Sequence, residues 1–73
     1  MTVRFASLGD IREFVGLATL QPYNVMVFDG DRTVNAKSFM EMFTIDFAHP
    51  LRVDVGENES VFAPVAKKFI CES

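Results

Sequence analysis

Tyr23-Asn24-Val25-Met26-Val27-Phe28-Asp29-Gly30-Asp31-Arg32-Thr33-Val34-Asn35-Ala36 reads as a β-hairpin. Residues 23–28 are rich in β-forming side chains, and Asp29-Gly30-Asp31 supplies a turn. A second arm runs over residues 32–36, with Val34 its only large apolar residue. Before the hairpin, residues 2–6 alternate as a strand should, with Val3 and Phe5 on one face. Ser7-Leu8-Gly9-Asp10 then opens a helix, Ser7 as its cap and Asp10 near its positive end. Ile11, Phe14, Val15 and Ala18 follow at i, i+3, i+4 and i+7, a single helical stripe. Gln21-Pro22 ends that helix, because the residue before a proline avoids the α region.

After the hairpin, residues 38–45 read as a short helix with Phe39, Met42 and Phe43 on one stripe, and His49-Pro50 breaks the chain. Leu51, Val53 and Val55 alternate with Arg52 and Asp54, a strand with one wet face. Residues 56–60 read as a polar loop. The last helix places Phe62, Val65, Ala66, Phe69 and Ile70 at core spacing. Proline belongs in a first helical turn, so Pro64 sets the expected start near Ala63. The order is β-α-β-β-α-β-α. Each helix has one apolar stripe, so the expected class is α+β: an open-faced sandwich with three helices on one face of a four-stranded antiparallel sheet.

The chain has 73 residues and no stretch resembling a linker or repeat, so residues 1–73 are expected to form one domain. Cys71 is the only cysteine and His49 the only histidine, which excludes an internal disulfide and a Cys/His zinc site. The formal net charge is −3. Residues 1–37 carry four basic and four acidic side chains, and residues 38–73 carry three and six. That balance argues against nucleic-acid binding, which needs Lys and Arg against phosphate. Apolar runs such as Val25-Met26-Val27-Phe28 are too short to span a membrane, and MTVRFASLGD lacks a signal-peptide core. The expectation is a cytoplasmic protein with no metal and no cofactor. No phosphate loop, triad or paired-carboxylate arrangement is visible, so it is not expected to be an enzyme.

Element order and length resemble HPr, the histidine-containing phosphocarrier of the bacterial sugar phosphotransferase system. The resemblance is strongest in Val34-Asn35-Ala36-Lys37-Ser38-Phe39-Met40 and extends over roughly residues 11–70. It implies the HPr-like open-faced sandwich. It also exposes a departure: an HPr carries a Gly-x-His-x-Arg-Pro-Ala segment before its first helix, where this chain has Phe5-Ala6-Ser7-Leu8-Gly9-Asp10. Ungapped spacing puts Ser7 at the position of the lost histidine and Gly9 at that of the arginine. A serine hydroxyl lacks the near-neutral pKa that makes imidazole a reversible phosphoryl acceptor. Asp10 would repel an incoming phosphate.

Ser38 matches the serine that, in HPr proteins of low-GC Gram-positive bacteria, is phosphorylated by an ATP-dependent HPr kinase to give a corepressor signal. A phosphoserine at a helix N-terminus meets free N–H groups, and Lys37 is a neighbouring cation. By itself Ser38-Phe39-Met40-Glu41 is S-x-x-E, a capping box that stabilises a helix by about 1 kcal/mol with no regulation. Both readings stand at this point.

Met40 falls off the Phe39–Met42–Phe43 stripe and is expected at the surface beside Phe47. Phe39, Met40, Phe43 and Phe47 thus form the expected protein-docking surface, flanked by residues 11–18; the alternative is that they complete a small core. The expected partner is HPr kinase or a transcriptional or metabolic regulator. His49 reads as a solvated loop residue and Cys71 as an ordinary helix residue, with Lys67 and Lys68 one turn back. The leading functional expectation is a regulatory interaction module switched at Ser38. Alternatives are a phosphocarrier using Ser7 or His49 as acceptor, and a structural remnant. The chain is expected to be a monomer or a weak homodimer pairing through the edge of its short first strand.

Overall fold

The computed structural model describes residues 1–71. Its elements are β1 (Thr2–Val3), α1 (Leu8–Thr19), β2 (Met26–Asp29), β3 (Arg32–Asn35), α2 (Phe39–Met42), β4 (Leu51–Asp54) and α3 (Glu59–Val65). Single 3-10 turns cover Gly56–Asn58 and Lys67–Phe69. The order is the β-α-β-β-α-β-α of the sequence reading. The four strands form one antiparallel sheet in the order β1-β4-β2-β3.

Register decides which face is covered. Val53, Val27 and Val34 stand opposite one another across three strands, and all are buried with Val3 and Leu51. Their alternates Arg52, Asp54, Thr33 and Asn35 are exposed on the other face, as the period of two requires. There the Arg52 guanidinium lies 5.4 Å from the Phe28 ring centre. The helices therefore pack on one side only: an α+β open-faced sandwich, consistent with the HPr-like architecture.

The hairpin closes through two residues, Gly30 and Asp31, with Asp29 opposite Arg32. Gly30 has φ +63° and Asp31 does not have positive φ, the pattern of a type II′ turn, where the first loop position favours glycine. In α1, Ser7 Oγ accepts from Asp10 N–H at 3.3 Å, and the Asp10 carboxylate accepts from Ala6 N–H at 2.9 Å. Ile11, Phe14, Val15 and Ala18 are fully buried, the stripe read from the sequence. On the opposite, exposed side sits Gly16, where an added Cβ would meet nothing within 4 Å. Gly16→Ala is expected to stabilise the fold by about 0.5–1 kcal/mol, since alanine loses less backbone entropy in a helix. A thermal melt would then rise by roughly 2–8 °C; a fall would mean that this face is occupied.

Several boundaries differ from the expectations. β1 stops at Val3 rather than residue 6 because Arg4 N–H turns to Phe69 O at 2.8 Å. Phe5 then drops into the core against Phe14 (5.1 Å between ring centres) and Phe69 (5.6 Å). β2 starts at Met26 rather than residue 23, although Ala36 N–H still bonds Val25 O. β3 ends at Asn35 rather than residue 36, and α2 is one turn instead of residues 38–45.

The expected polar loop at 56–60 is a 3-10 turn running into α3, which starts at Glu59 and not near Ala63. Pro64 is thus inside α3 rather than in its first turn. It is tolerated because the bond it cannot donate would go to Ser60 O, on an exposed side, and the helix ends one residue later. Phe62, Ala66 and Phe69 are buried, while Val65 and Ile70 are only partly so. Cys71 is not a helix residue: its N–H bonds Thr2 O at 3.0 Å, next to a Val3–Ile70 bridge. Lys68 Nζ donates to Glu13 Oε1 at 3.0 Å, which raises its pKa above the ordinary lysine value.

The free side of β1 is covered, and that of β3 is bonded at one end, at Asn35. The residues 69–71 just described run along β1, the edge that a strand-paired homodimer would need. On β3, Asn35 N–H donates to Glu41 Oε1 at 3.1 Å and Asn35 O accepts from Ser38 N–H at 3.0 Å. Edges whose polar groups are already satisfied offer little to an added strand. Among the described residues, no helix is long and apolar enough to cross a membrane.

Candidate functional site

Phe39 and Phe43, read as sharing a stripe with Met42 and as part of the expected docking surface, are each 45% exposed, and only Met42 of that stripe is buried. The cause is the length of α2. The same spacing is buried throughout in the twelve-residue α1, whereas the single turn of α2 brings only Met42 to the core. The two rings instead pack on each other, 5.7 Å between centres, at the i, i+4 spacing of a helix surface. Met40 is 85% exposed, as expected. Phe47 differs: it is half-buried and packs against the core, so it does not sit with Met40 at an open surface.

The flank expected from residues 11–18 is also corrected. Ile11, Phe14, Val15 and Ala18 face the core and are unavailable. The contribution of α1 comes from Leu8, which is 58% exposed and lines a cleft with Gly9, Arg12 and Phe43. Sequence reasoning missed Leu8 because it was read only within Ser7-Leu8-Gly9-Asp10, the segment that opens α1, although its i−3 spacing to Ile11 continues the stripe. What lifts it out is its place as the first helical residue after the cap. The opposite end of the site is tied differently: Lys37 Nζ donates to Gln21 O, just past the end of α1, at 2.7 Å. Lys37 therefore serves the carbonyl end of α1, rather than lending its charge to Ser38.

Ser38 is the N-cap of α2, its Oγ accepting from Glu41 N–H at 3.3 Å. The Glu41 carboxylate reaches past Ser38 to Asn35 N–H, while Ser38 N–H donates to Asn35 O, so only the serine half of the expected S-x-x-E box forms. Ser7 caps α1 in the same manner, exposed at the surface. His49 is exposed in the loop before β4, with Nε2 3.7 Å from Asp46 Oδ2 and Nδ1 3.2 Å from Pro50 O. Neither has the paired imidazole and guanidinium that reversible phosphoryl transfer would use. Among the described residues, no three His, Cys, Asp or Glu side chains gather where they could hold a metal ion.

The site that emerges is a surface rather than a pocket: Leu8 on α1, Phe39, Met40 and Phe43 on α2, and the Arg12 guanidinium at its rim. It exposes four large apolar side chains, Leu8, Phe39, Met40 and Phe43. Compared with family models, with curated proteins and with solved structures, the chain matches none.

Proposed function

We propose that this chain is a non-catalytic, HPr-like docking domain that binds a protein partner through Leu8, Phe39, Met40 and Phe43. The observation that carries the reading is the outward Phe39–Phe43 pair with Met40 and Leu8 beside it, in a chain that buries its other phenylalanines wholly or in part. Met and Phe on an open face re-pack against varied partners. The covered edge of β1 favours docking by side chains over strand addition there. The HPr-like element order and the Ala36-Lys37-Ser38 segment support the family reading, while Ser7 in place of a histidine supports a role without phosphoryl relay.

Ser38 supplies the switch in this proposal. Its phosphorylation would replace a hydroxyl cap with a dianion on the same turn as the Glu41 carboxylate, which competes for neighbouring backbone donors. The experiment compares the wild-type chain, Phe39→Ser/Phe43→Ser and Ser38→Ala, each before and after treatment with ATP and an HPr kinase. Intact mass reads phosphorylation, and circular dichroism confirms the fold. The expected result is one added phosphoryl group in all but Ser38→Ala. A partner retained from cell extract by the wild type should be lost from the double variant. Identical retention by both folded proteins would overturn docking at this surface; no phosphoryl addition would leave Ser38 a cap and remove the switch.

A further inference from the structure

α2 buries only one of its four residues, Met42. Between residues 37 and 50 only Met42 and Ile45 are buried, and most of the rest are exposed. Besides Met42, Ile45 and the half-buried Phe47, the segment is held by a set of polar bonds from the β2–β3 hairpin. Arg32 donates through Nη2 to Thr44 Oγ1 at 2.6 Å and through Nη1 to Thr44 O at 3.4 Å. The Thr44 hydroxyl in turn donates to Glu41 O at 2.7 Å. Glu41 Oε1 returns to Asn35 N–H, and Asp29 Oδ2 accepts from Asp46 N–H at 3.2 Å. The last turn of α2 carries no basic residue of its own, so Arg32 supplies from the hairpin the cation that a helix C-terminus favours.

We propose that the hairpin acts as a clamp, and that α2 with its following loop opens as a unit while the sheet, α1 and α3 stay folded. The structure assigns the clamp to Arg32, Thr44, Glu41 and Asp29. Segments with few buried apolar contacts and exposed hydrogen bonds open below the global unfolding energy. The clamp itself does not depend on the docking reading; its consequence does. If Phe39, Met40 and Phe43 meet a partner, their surface exists only while the clamp is closed, and any change at the hairpin tip is transmitted to it.

Native-state hydrogen exchange of the whole chain tests this, through the amides of Met42, Phe43 and Thr44, which bond Ser38 O, Phe39 O and Glu41 O. In the wild type they should exchange at least about tenfold faster than Val27 and Phe14. Arg32→Ala should speed them by about a further tenfold, the equivalent of a lost charged hydrogen bond, leaving Val27 and Phe14 unchanged. Thr44→Val should act in the same direction, and Thr33→Ala, on the same strand outside the clamp, should do nothing. Equal exchange of α2 and the core in the wild type would overturn the proposal. So would equal acceleration of all amides in Arg32→Ala and Thr44→Val. Loss of partner retention in the docking experiment leaves these exchange rates unaffected, so the two readings fail separately.

Discussion

Phe14→Ala is expected to remove most of the stability of this chain. Phe14 is fully buried, and its ring meets Phe5 at 5.1 Å and Phe62 and Phe69 each at 5.8 Å, all edge-on. Those three partners come from the segment after β1, from α3 and from the 3-10 turn at Lys67–Phe69. One side chain on α1 thus joins three separate parts of the chain. Truncating a buried phenylalanine costs about 3–5 kcal/mol in transfer and cavity terms, and edge-on pairs add about 0.5–1.5 kcal/mol each. A domain of this length holds roughly 5 kcal/mol in total. Urea denaturation followed by circular dichroism should therefore find the variant largely unfolded at 25 °C in dilute buffer. A cooperative transition close to that of the wild type would show that the aromatic cluster is not what joins the helices.

Met42→Ala should behave differently although Met42 is just as buried. Cavity creation alone predicts about 2–5 kcal/mol. If α2 opens separately, however, the mutant can release the whole segment and keep the rest. The global loss is then limited by the free energy of that opening, about 2 kcal/mol, the low end of the range. Denaturation should report this smaller loss, while exchange shows the α2 amides unprotected and the sheet intact. A loss equal to that of Phe14→Ala, with protection falling everywhere together, would mean that α2 and the core are one cooperative unit.

The contrast between these two residues shows what was legible. Phe14 was placed in the core from its spacing to Ile11, Val15 and Ala18, because twelve residues of helix average out local exceptions. Phe39 and Phe43 were placed on one stripe with Met42 by the same rule and lie half outside the core. A four-residue helix has no averaging, and its orientation is set by Arg32, Glu41 and Asp29 bonds between residues 6 to 17 positions apart. Leu8 was missed because it was read only within the segment that opens α1, and a first-turn residue can satisfy the stripe's spacing and still overhang the core. Ser7 and Ser38 were read as caps correctly, because an N-cap bond joins residues only three apart.

Element order, the hairpin and its glycine, the α1 stripe and the alternation of β4 were determined by the sequence alone. Each depends on interactions within a few residues, where the periods of 3.6 and 2 leave one face apolar. The strand order β1-β4-β2-β3, the closing of β1 by residues 69–71 and the outward turn of Phe39 and Phe43 were decided only by the tertiary structure. These depend on which distant groups compete for the same space and the same hydrogen bonds. A 73-residue chain has too small a core to cover every apolar side chain, and which ones stay outside is settled by contacts between elements distant in sequence.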